Sequence, residues 1–148
     1  MGRPMKVAAA LVLLVALVAC GNAGGGEDAD GIVTAESLAG VWRRTTLTDW
    51  GSEMYRRYSD DGTYQVAFTL EKLDTEPRVE GTYLFEDGVL VIEDTSGVPG
   101  WDMCVGDDQV GRYTIDVQES GTIRFVLVED ACASRGTMMA SGEMERVE

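Results

Sequence analysis

From Val41 onward, apolar residues recur at every second position in short runs, and turn residues cut the runs apart. Thr63 to Glu71 shows the pattern most clearly. Tyr64, Val66, Phe68 and Leu70 fall on one face, and Thr63, Gln65, Thr69 and Glu71 on the other. A period of two marks a strand buried on one side only. Seven more stretches read as strands: Val41 to Thr48, Glu53 to Ser59, Arg78 to Glu86, Val89 to Glu93, Gly111 to Gln118, Thr122 to Glu129 and Gly142 to Val147. Ser59-Asp60-Asp61-Gly62, Asp87-Gly88 and Glu119-Ser120-Gly121 turn the chain between runs. Such residues bond their own backbone or tolerate positive φ.

Asp94 to Asp108 reads as a loop, and Ala131 to Ala140 as a short helix or a loop. Ahead of the strands, Thr34 to Leu38 can form one helical turn, with Thr34 as N-cap, Glu36 in the first turn and Gly40 ending it. Eight short strands in residues 34–148 imply an antiparallel meander. A meander with one apolar face closes most simply into an up-and-down barrel, which leaves no unpaired edge. The expected fold is therefore all-β: an eight-stranded antiparallel barrel behind a short N-terminal helical turn.

The chain begins differently. Arg3 and Lys6 precede an unbroken apolar run from Val7 to Val18, which is too short to span a bilayer. Leu17-Val18-Ala19-Cys20 closes the run and resembles the lipobox of bacterial lipoproteins. That resemblance implies cleavage of residues 1–19 and acylation of Cys20. The competing reading is an ordinary secretory signal with a chance cysteine. Residues 20–33 then form the lipidated end and a Gly-rich, acidic linker, Gly21 to Gly31. Asp28 and Asp30 suggest a calcium loop, but Gly31 follows too soon and no Glu stands at the twelfth position.

Removing residues 1–19 removes two of the twelve basic residues and none of the 26 acidic ones, leaving a net charge of −16. Such a surface repels nucleic acid and offers no basic patch to anionic lipid. The expected membrane contact is the acyl chain on Cys20, and the expected place is the extracytoplasmic side of a bacterial envelope membrane. There is no histidine, which removes Ser-His-Asp and Cys-His catalysis and His-based zinc sites. No Gly-x-Ser-x-Gly motif is present either, so no catalytic residue, metal or cofactor is expected. With Cys20 lipidated, Cys104 and Cys132 remain as an even pair for one disulfide. They lack the Cys-x-x-Cys spacing of a reactive dithiol. If Val117 opposes Ile123, Tyr113 opposes Leu127, and the ladder ends near Gly111 and Glu129. Both cysteines then leave the same end of one hairpin.

Gly40-Val41-Trp42, opening the first strand after a helical turn, is similar to the start of lipocalins and lipocalin-like bacterial lipoproteins. The resemblance covers residues 34–148. It implies that Trp42 caps the closed end of the barrel and that an Arg from the last part of the chain packs over it. Arg146 and Arg135 are the candidates. The domain is shorter than a secreted lipocalin, which argues for a small interior.

Four groups of residues bear on function. Arg44 and Arg56 fall on neighbouring strands, facing inward if Trp42 and Tyr58 do, where they would hold a carboxylate or pair with acidic residues at a rim. Trp50 and Trp101 lie in loops, as a lip for a ligand or partner or as covers for loop cores. Met103, Met138, Met139 and Met144 would suit a soft ion, but lack a repeating Met-x-x-Met pattern and read as core filling. Asp60-Asp61 and Asp107-Asp108 are explained as turn chemistry. Inward Trp42, Tyr64, Phe68, Tyr83, Phe85, Tyr113 and Phe125 are many rings for one small barrel. The expectation is a membrane-anchored accessory module with a packed barrel that meets another envelope protein. The alternative is a carrier or sensor of a small apolar, carboxylate-bearing ligand.

Overall fold

Thr34 caps the first helix. Its hydroxyl accepts from the Ser37 amide, and the Ser37 hydroxyl accepts from the Thr34 amide, over α1 (Ala35–Leu38). The computed structural model describes residues 33–49 and 51–147. The expected lipobox Leu17 to Cys20, the expected linker Gly21 to Gly31 and Trp50 lie outside them. Gly40, at a φ of 131°, then turns the chain into the first strand.

The strands are β1 (Gly40–Arg44), β2 (Tyr55–Tyr58), β3 (Thr63–Ala67), β4 (Val79–Glu86), β5 (Val89–Gly97), β6 (Val110–Val117), β7 (Ile123–Asp130) and β8 (Met144–Arg146). Each pairs antiparallel with the next, and β8 returns to β1, so the sheet is a closed eight-stranded barrel. Two further helices interrupt the meander: α2 (Lys72–Thr75) after β3 and α3 (Ala133–Ala140) between β7 and β8. The β6–β7 hairpin has the expected register, with Val117 opposite Ile123 and Tyr113 opposite Leu127. It carries Cys104 and Cys132 to one end, where they form the disulfide at a Cα–Cα distance of 5.5 Å.

The inward alternation supplies the core. Tyr58, Tyr64, Tyr83, Tyr113 and Phe125 are buried and meet in one cluster, with Tyr83 edge-on to Tyr58 at 5.1 Å between ring centres. Leu38, Leu90, Ile92, Ile123 and Met144 pack around them. Burying a large side chain of this kind contributes roughly 1.5–3 kcal/mol.

Several boundaries differ from the pattern. The run from Thr63 stops as a strand at Ala67, because the chain bends into α2; Leu70 is left exposed while Leu73 is buried beneath the barrel wall. β1 ends at Arg44 and β2 begins at Tyr55, leaving a loop in which Leu47 is exposed and Thr48 is buried. β5 runs on to Gly97 by pairing with β4 through a register shift at Glu80/Gly81. Leu127, paired with the buried Tyr113, is itself exposed. The β6–β7 ladder shifts register at Arg112/Tyr113, and β7 meets β8 at only one residue pair, Ile123 and Met144. α3 lies along the rest of β7, with Gly136 against Leu127.

Candidate functional site

One end of the barrel is plugged. Trp42 is buried, and its indole N–H donates to the Leu38 carbonyl at 2.8 Å. The Arg146 guanidinium stands 4.7 Å over the ring and donates to the carbonyls of Ser37 and Ala39. Arg146 is thus the arginine over Trp42. Arg135 is not: it sits in a different environment, held by carboxylates.

That environment is a buried polar chain. Arg135 pairs with Asp130 at 2.9 Å, and its Nη1 lies 3.0 Å from Asp94 Oδ1, close enough for attraction although the angle is poor for a hydrogen bond. The Tyr64 hydroxyl donates to Asp94, and the Tyr113 hydroxyl to Asp130. Arg135 also donates to the Gln109 carbonyl, and the Cys132 amide donates to Asp130 at 2.7 Å. The space for this chain comes from two inward glycines. Gly81 stands between Tyr64 and Asp94 in the β3–β4–β5 register, and a Cβ there would collide with the Tyr64 ring and the Glu93 carbonyl. At Gly111 a Cβ would lie 2.6 Å from Asp130 Oδ2 and 2.8 Å from the Tyr113 ring. Burial, and then the neighbouring carboxylates, push the Tyr64 and Tyr113 hydroxyls well above the usual range, so both remain donors. Burial alone would lower the Arg135 pKa, but the bonds and charges of Asp130 and Asp94 more than offset it.

Beside this chain a cavity of about 550 Å³ opens at the end of the barrel away from Trp42. Its inner wall is Arg56, Tyr64, Val66, Val79 and Asp94; α3 forms one side with Arg135, Met138 and Met139; Arg44, Asp49, Trp101 and Met103 stand toward its mouth. Of the rings named in the sequence, Tyr64 lines this cavity and Phe68 stands at its mouth, whereas Trp42 closes the opposite end. Trp101 is half-buried edge-on to Phe68 at 5.1 Å, and Arg78 stacks on the other ring at 5.6 Å, so this part of the mouth is aromatic.

Arg56 is 3% exposed, and no carboxylate lies within ion-pair distance of it among the described residues. Its Nε and Nη1 have no hydrogen-bond partner, and Nη2 makes two long bonds, 3.4 Å to the Met138 carbonyl and 3.7 Å to the Met54 sulfur. Its face rests on Phe125 at 5.5 Å. The Tyr58 hydroxyl is also buried without a well-formed bond; burial raises it, and the Arg56 charge offsets part of the rise. Arg44 is half-buried with its Nε out of solvent, and desolvation, then repulsion from Arg56, lowers its pKa. Of the candidates read from the sequence, Arg44, Arg56 and Trp101 therefore meet at one cavity, and Arg135 joins them from α3. The Asp94–Arg135–Asp130 chain was not foreseen. The available signal was two glycines at inward positions of otherwise large-residue strands.

The methionines divide: Met139 and Met144 are buried, Met103 is exposed at the mouth, and no cluster of three or more metal-ligating His, Cys, Asp or Glu residues occurs among the described residues. Fold and site together define an up-and-down β-barrel, plugged at one end and hollow at the other. Comparison with family models, curated proteins and solved structures finds no match to this chain.

Proposed function

We propose that this protein is a lipid-anchored carrier or sensor on the extracytoplasmic side of a bacterial envelope membrane, holding a small, largely apolar ligand in the open half of its barrel. The observation that carries this reading is the 550 Å³ cavity ending on Arg56. Ligand pockets run from about 300 to 1,000 Å³, mostly apolar with a few placed polar groups. Val66, Val79, Trp101, Met138 and Met139 supply the apolar wall, and Arg44 and Arg56 the polar groups. An accessory module with a filled barrel has no use for such a space. The signal Arg3 to Ala19 and the lipobox cysteine supply the address.

Native mass spectrometry of the chain purified from its own host tests both parts. The expected result is a protein mass lacking residues 1–19 and carrying acyl groups on Cys20, with a further small mass released on denaturation. A polypeptide of unmodified length would overturn the anchor. Absence of any releasable mass, together with no uptake of added amphiphiles, would overturn the carrier.

A further inference from the structure

We propose that the ligand is a monoanionic carboxylate amphiphile, taken head-first, with Arg56 as the group that selects it. This rests on the carrier reading above and names the class of molecule it takes. A cation buried to 3% exposure without a carboxylate is an unfavourable arrangement for an empty protein. Arg135, similarly buried, shows how this fold satisfies such a group: two carboxylates, two tyrosine hydroxyls bracing them, and a backbone carbonyl. Arg56 has a phenyl face, two long bonds to a carbonyl and a thioether sulfur, neither of them charged, and two nitrogens without a partner, in the wall of a cavity. The missing partner is an acceptor that arrives from outside.

The charge of that acceptor follows from its neighbours. Arg44, Arg56 and Arg135 are buried or half-buried around the cavity, against Asp94 and Asp130. Three cations against two anions, with half-buried Arg78 and exposed Asp49 adding one of each sign at the mouth, leave one positive charge, which a single carboxylate neutralises. A dianionic phosphate would leave a surplus negative charge beside Asp94. Asp49 stands exposed at the rim, where water screens it. The orientation follows from depth. Arg56 is on the inner wall, whereas Trp101 is half-buried and Met103 is 56% exposed, so the apolar tail runs outward past these two.

The test uses the full chain in lipid nanodiscs, with empty nanodiscs as the blank, titrated calorimetrically with decanoate, decanol and decyl phosphate at pH 8. Decanoate is expected to bind at least about tenfold more tightly than decanol, as charge-assisted bonds require. Decyl phosphate, dianionic at pH 8, is expected to bind more weakly than decanoate and to recover near pH 5, where it carries one charge. Arg56→Met is expected to bring decanoate down to the affinity of decanol, and Arg56→Lys to restore part of the difference. Equal binding of decanoate and decanol by the native protein would overturn the head-group assignment and leave the carrier reading standing. Tighter binding of the phosphate at pH 8 would overturn the monoanion. Failure of all three to bind would overturn the carrier reading and this one together.

Discussion

Arg56 and Arg135 make a comparison within one molecule, because each is about 95% removed from solvent and only one is paired. Replacing an unpaired buried charge by an apolar side chain of similar length removes a desolvation cost. Arg56→Met is therefore expected to raise the melting temperature of the empty protein by a few degrees, read by differential scanning calorimetry. Asp94→Asn does the opposite. It leaves Arg135 a single carboxylate and Tyr64 a weaker acceptor, and should cost about 3 kcal/mol in denaturant unfolding. Gly81→Ala drives a Cβ into the Tyr64 ring and should cost roughly 1–3 kcal/mol. At this scale the sequence was legible where one residue decides the matter: Gly40-Val41-Trp42 located the plug, and period-two alternation brought Arg44 and Arg56 to one cavity. It was not legible for Arg135, whose partners Asp94 and Asp130 lie on two different strands. Nothing local distinguishes them from the many other carboxylates of an acidic chain. Arg146 and Arg135 could be told apart only by the β1–β8 register.

The elements divide into a continuous ladder and one weak seam. β6 and β7 share seven residue pairs, but β7 and β8 share one, and α3 covers the remainder. α3 is fastened at its first end by the Cys132 disulfide and the Arg135 ion pairs. Its other end is held by Met139, the long Arg56–Met138 bond and a turn at Gly142, whose φ is 97°. Breaking the disulfide with paired Cys104→Ser and Cys132→Ser changes should cost about 3 kcal/mol, since the closed loop is about 29 residues. In native-state hydrogen exchange the amides of α3 should then open well before those of β6. Simultaneous exchange of both would show that the seam is not a separate unit. The strand periods were readable because each is a local property of a few consecutive residues. The end of β3 at Ala67 was not, because Phe68 and Leu70 continue the alternation while the backbone has already turned toward α2. The choice of helix for Ala131 to Ala140 was equally hidden: its small residues suit either form, and the open flank of β7 decides.

Across the whole molecule, the tyrosines tie stability to alkaline pH. Burial raises Tyr58, Tyr64, Tyr83 and Tyr113 above the ordinary tyrosine value, Tyr83 to about 12. A raised folded-state value means that the native protein holds its protons more tightly than the unfolded chain. The stabilisation is complete below about pH 10 and is lost progressively as pH climbs from there through the folded-state values, that of Tyr83 being about 12. Denaturant midpoints should be level from pH 8 to 9.5 and fall steeply above 10.5, and tyrosinate absorbance should rise together with unfolding. Ionisation of all the tyrosines without loss of the fold would contradict the buried cluster. The two ends of the barrel also have a geometric consequence. The chain reaches β1 through α1, at the end closed by Trp42 and Arg146, and the hollow lies at the opposite end. From Cys20 to Val33 the chain can extend at most about 45 Å. A tether of that reach, joined to the domain at its plugged end, would leave the mouth free to turn toward the aqueous side or back toward the bilayer surface.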